Sequence, residues 1–104
     1  VAVASDPSIA GVRISAKAGA QNPNAPEAWL EAARLGTEKA WDAHIKLGGS
    51  KTGLIVTCVL GTEVDTTDNT VEVAAFCAAW TALGRPEGEL IFEFDQQWLV
   101  RKQP

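Results

Sequence analysis

The sequence contains no methionine and no tyrosine, one histidine and two cysteines in 104 residues. A single imidazole means that any Ser-His-Asp or Cys-His chemistry must run through His44. Two thiols are too few for a disulfide framework, and with one histidine they do not compose a dedicated zinc site. Cys58 and Cys77 both sit in apolar runs, 54–60 and 73–80. They read as buried, reduced thiols of a cytoplasmic protein, and a bridge is the alternative if the two runs pack side by side. No apolar run approaches the ~20 residues of a membrane-spanning helix. Basic side chains are also scarce, with 9 Lys plus Arg against 13 Asp plus Glu, a net charge of −4 and a pI near 4.8. The adjacent pair Arg101–Lys102 stands alone. Phosphate recognition needs clustered Lys and Arg, so a nucleic-acid partner is not expected. No metal and no cofactor are expected either.

What is present argues for a folded chain. Apolar residues make up 46% and charged residues 21%, which is neither a disordered nor a fibrous composition. The length is that of one domain, 1–104, with residues 1–10 as a loose N-terminal arm or a short strand. Ala2-Val3-Ala4 has the small-x-small pattern of a signal-peptidase site, but no charged or apolar region stands ahead of it.

Residues 11–17 alternate, with Val12, Ile14 and Ala16 on one side and Arg13, Ser15 and Lys17 on the other. That is a half-exposed strand. Asn24 and Glu27 have capping-box spacing around Pro26, so a helix is expected to start there and to stop at Gly48-Gly49. Trp29, Ala33, Gly36, Ala40, Ala43 and Leu47 fall on one stripe of it. Gly36 costs ~1 kcal/mol relative to Ala in a helix interior, yet it lies in the stripe, where close packing would explain it. Two short helices divided at Gly36 and Thr37 are the alternative. Residues 52–60 are almost wholly apolar and β-branched and read as a central strand covered on both faces. Asn69 and Glu72 suggest a second capping box, and Gly84 and Pro86 a stop. The helix between them carries the small residues Ala75, Ala78, Ala79 and Ala82, a side that another backbone can approach. Residues 89–101 alternate throughout and read as one last strand, bent near 95–97. Leu90, Phe92, Phe94, Trp98 and Val100 share one face. Glu89, Ile91, Glu93, Asp95, Gln97, Leu99 and Arg101 share the other. The expected architecture is an α+β two-layer sandwich: a small mixed sheet of three to five strands, with one long and one shorter helix on one face.

Four candidate constellations follow. Gly48-Gly49-Ser50-Lys51-Thr52 has a phosphate-loop flavour, but it lacks the required glycine spacing and lies between helix and strand, so it reads as a helix stop. Glu63, Asp65, Asp68 and Glu72 form an acidic run that reads as a solvated loop and helix N-terminal charge. Glu93 and Asp95, two apart on one strand face, have the spacing for acid–base work. Trp41, His44, Trp80 and Trp98 would line a ligand cavity under the long helix, if the chain is a small-molecule binder or small enzyme.

The leading expectation is instead a small acidic, non-enzymatic interaction module that self-associates. Its interface would use Ala75, Ala79, Ala82, Glu89, Glu93 and Asp95. The charge supports a place for a basic protein partner: residues 1–51 carry a balance of +1 and residues 52–104 one of −5. Such a partner would meet residues 61–72 or 87–95.

Overall fold

The computed structural model describes residues 1–15, 27–59, 67–95 and 97–102. The elements in chain order are β1 (Ala2–Asp6), β2 (Val12–Ile14), α1 (Glu27–Lys46), β3 (Gly53–Cys58), α2 (Asp68–Ala82), a short 3₁₀ turn (Glu87–Glu89), β4 (Leu90–Asp95) and β5 (Gln97–Lys102). The α+β expectation holds, with two helices and two small sheets.

The first sheet has the order β1-β3-β2. β3 pairs antiparallel with β1 and parallel with β2. The parallel pair with α1 between makes a βαβ crossover. Registration of Val3, Val56 and Ile14, and of Ser5, Leu54 and Val12, puts these residues on the face that meets the helices. Ile55 is half-buried and Thr57 exposed on the opposite face. The expectation that β3 is covered on both faces is therefore corrected: the helices cover one face only. The mixed pairing is what permits it, because sheets with antiparallel members tolerate one solvated face.

α1 is continuous through Gly36, so the divided-helix alternative is excluded. A Cβ at Gly36 would overlap the carbonyl oxygen of Glu72 and sit 3.1 Å from the Ala75 Cβ. The glycine is the contact at which α2 crosses α1. The two helices run in the same sense, from a shared start near Ala32 and Val71 to a shared end near His44 and Arg85. Both stop in the same way. Gly48 and Gly84 take φ of +80° and +78°. The N–H of Gly49 reaches the carbonyl of His44, and that of Arg85 the carbonyl of Trp80, the Schellman arrangement that satisfies the last carbonyls. The 48–52 stretch is thus a helix stop, as read.

The start of α2 differs from the expectation. Thr67, not Asn69, caps it. Its side chain accepts from the Thr70 N–H at 3.2 Å, and the Thr70 hydroxyl accepts from the Thr67 N–H at 2.9 Å. The start expected at Asn24 lies outside the described residues.

Residues 89–101 are not one strand. They form a hairpin in which β4 and β5 pair antiparallel, Phe92 opposite Val100 and Glu93 opposite Leu99. Leu90 and Val100 pack with Phe76, Ala79 and Trp80 of α2. The molecule is a thin slab, 38 × 36 × 16 Å.

Candidate functional site

Two clusters contain the residues singled out in the sequence. The first lies at the shared C-terminal end of the helices. The Trp41 Nε1–H donates to the Thr52 carbonyl at 3.0 Å. His44 is buried, with Nε2 3.0 Å from the Ser50 carbonyl, and its Nδ1 accepts from the Arg85 Nε–H at 2.6 Å. A guanidinium only donates and a carbonyl only accepts. The imidazole therefore carries its proton on Nε2 and joins two loops, 49–52 and 83–86. The same guanidinium lies over the Trp80 ring, 5.2 Å from its centroid, and Phe76 stacks on Trp80 at 5.7 Å. Trp80 is fully buried, and its Nε1 has no partner among the described residues. The structure thus joins His44 to Trp80 through Arg85 and places Trp41 beside them, as parts of a packed interior.

Trp98 is elsewhere. It stands on β5 near the hairpin turn, facing Thr70, Val73 and Ala74 of α2. With Phe92 it closes a groove of about 460 Å³ whose walls are almost wholly apolar. Phe92, Trp98 and Leu99 are 48%, 45% and 43% exposed. The alternation pattern explains why. Leu90 and Val100 share the even-numbered face with Phe92 and Trp98, but only the first two reach the core under α2. Towards the turn that face meets the more exposed side of α2, at Thr70, Val73 and Ala74.

Besides the packing of Leu90 and Val100, the side chain of Asn69 ties the hairpin backbone to α2. Asn69 accepts from the Trp98 N–H through Oδ1 at 2.7 Å and donates from Nδ2 to the Trp98 carbonyl at 2.8 Å. It occupies the β5 edge as a neighbouring strand would. Comparison with protein-family models, with curated proteins and with solved structures finds no match to this chain. The reading of the site therefore rests on its geometry.

Three of the acidic residues expected to draw a basic partner are ion-paired inside the fold. Glu93 binds Arg101 at 2.7 Å across the hairpin, and Glu89, in the 3₁₀ turn before it, lies 3.7 Å from Lys102. Glu72 binds Lys39 at 2.6 Å across the helix pair. Glu63 and Asp65, and the side chain of Asp95, lie outside the described residues. Ala75 and Ala79 are fully buried within the chain. The backbone that approaches the small-residue side is that of α1, so these two positions offer no surface; Ala82 is half-buried. Cys58 and Cys77 are half-buried thiols rather than buried ones. Among the described residues no group of three or more His, Cys, Asp or Glu could hold a metal ion, and no helix is long and apolar enough to cross a membrane.

The sequence places Asn69 at a cap two residues from the real one, Thr67, and no candidate site includes Arg85 or Leu99. Arg85 carried a signal, since the residue two past a helix C-cap is fixed against the last turn by the Schellman bond.

Proposed function

We propose that the chain is a small non-enzymatic protein-interaction module, and that it associates with itself through the apolar surface of the β4–β5 hairpin. The observation that carries this reading is the groove formed by Phe92 and Trp98 against Thr70, Val73 and Ala74. Phe92 and Trp98, two large aromatic side chains nearly half exposed on one face of the hairpin, form a patch of the kind that marks an interaction surface. Tryptophan and phenylalanine are also the residue types that anchor interfaces.

The groove is the feature to test. Sedimentation velocity from about 1 µM to about 500 µM should show a mass that rises above 11.0 kDa with concentration. Trp98→Ala should hold the mass nearer the monomer, with stability changed by under about 1 kcal/mol because the side chain is half solvated already. A mass of 11.0 kDa across the whole range would overturn self-association.

A further inference from the structure

We infer that His44 and Arg85 form an acid-released clasp: one proton on His44 drives Arg85 off, bares the face of Trp80 and parts the two loops that end the helices. This goes beyond the self-association reading and does not depend on it.

The two ring nitrogens have different duties. Nε2 holds the Ser50 carbonyl at 3.0 Å, and Nδ1 accepts the Arg85 Nε–H at 2.6 Å. Acceptance at Nδ1 needs the neutral ring, because an imidazolium donates from both nitrogens. A proton added at Nδ1 sets N–H against N–H and cation against cation, at a buried position. The surroundings give that proton no counterion. Loop 83–86 brings Arg85 and loop 49–52 brings Lys51, both cations. Along the chain, the positions one turn away are Ala40, Trp41, Leu47 and Gly48, and Asp42 and Lys46 are exposed. α2 has its carboxylates, Asp68 and Glu72, at the opposite end, and β3 has no charged residue. Asp6 of β1 and Arg13 of β2 lie on the sheet face away from the helices. Glu89 of the 3₁₀ turn lies against Lys102. Among the described residues no carboxylate pairs with His44 or Arg85.

Arg85 is the partner that moves. The ring cannot retreat towards Gly49, where an added Cβ would overlap the imidazole. Its Nε2–H keeps the Ser50 carbonyl in either protonation state. Arg85 stands beyond the end of α2 and is half-buried, so its guanidinium already borders water. Its departure uncovers Trp80, over whose ring it lies at 5.2 Å. Room for the loops to part is present in the closed form. A recess of about 240 Å³ lies between them, with Ser50 and Thr52 on one wall and Ala82, Leu83 and Gly84 on the other. The closed form takes no proton at Nδ1 and the open form does. Falling pH therefore shifts the population towards the open form.

His44 is the only imidazole, so NMR reads its titration without overlap between about pH 7.5 and about pH 5. In the wild type the His44 ring, the Arg85 Nε–H and the Trp80 indole N–H should shift in one step with a common midpoint. Corrected for the intrinsic pH dependence of exchange, protection of the Trp80 indole N–H should fall at least about tenfold across that step. His44→Gln keeps an acceptor for Arg85 but takes no proton, and its Trp80 signal should stay constant over the same range. If that variant does not fold, the wild-type titration decides alone. A His44 ring that takes its proton while Arg85 and Trp80 hold still overturns the clasp. So does a ring that stays neutral down to about pH 5. A Trp80 step that survives in His44→Gln belongs to another group and overturns it as well.

Discussion

At the scale of single residues, two positions hold the helix pair together. Gly36 permits a contact that no side chain could share, because the obstacle on α2 is the Glu72 carbonyl, a backbone atom with no rotamer to escape into. Gly36→Ala should gain about 1 kcal/mol of helix propensity yet lose about 1–3 kcal/mol to overpacking, for a net destabilisation in urea unfolding. Arg85 is the second. It satisfies His44 Nδ1 and covers the face of Trp80 with one planar group. Removing it leaves a buried acceptor without its donor. Arg85→Ala should cost about 1–3 kcal/mol and shift the tryptophan emission, and Arg85→Lys should not restore it, because a lysine cannot bond His44 and lie flat on the ring together. Equal stability of the alanine variant and the wild type would contradict this assignment.

At the scale of elements, what the sequence discloses depends on whether a pattern has one structural cause. The stripe on α1 has one, and α1 spans Glu27–Lys46 as its periodicity required. The capping box of α2 was misplaced because Thr70 reciprocates Thr67 with a hydroxyl where Glu or Gln is the usual signal; Thr67→Ala should destabilise by about 1 kcal/mol in thermal melts. The hairpin was hidden for a geometric reason. Its partner residues share parity, Phe92 with Val100 and Glu93 with Leu99. Even-numbered side chains therefore stay on one face through the reversal, and alternation reads straight across it. The candidate cavity divided for a related reason: periodicity assigns a residue to a face but not to a place along it, so Trp98 could not be told from Trp41 and Trp80. Local hydrogen bonds also set a pH dependence. Bonds from the Ser8 hydroxyl and then its N–H hold the Asp6 carboxyl below its ordinary value in the β1–β2 connection, and Arg34 does the same for Glu31 on α1. Depressed folded values mean that these contributions are complete above the unfolded pKa values of about 4. They are lost as pH falls through the folded ones. Both groups are solvent-exposed, so the loss is small. Ser8→Ala should move the Asp6 titration, followed by NMR, upwards towards an ordinary aspartate, and an unmoved midpoint would refute the bond's role.

At the scale of the whole molecule, the surplus of acid lies in the second half, which holds 8 acidic against 3 basic side chains. Three of its carboxylates are matched inside the fold, one of them, Glu93, on the hairpin that also carries the exposed aromatics. The slab shape carries a further consequence. At 16 Å through its thinnest direction, little more than the roughly 10 Å that separates two packed layers, the molecule has no second layer of interior. A fluctuation that lifts one helix wets the sheet beneath it at once. Amide exchange should therefore resolve two classes only: a global set around Leu54–Val56 and the middle turns of α1 and α2, and a fast set everywhere else, with no hierarchy of partial openings between them.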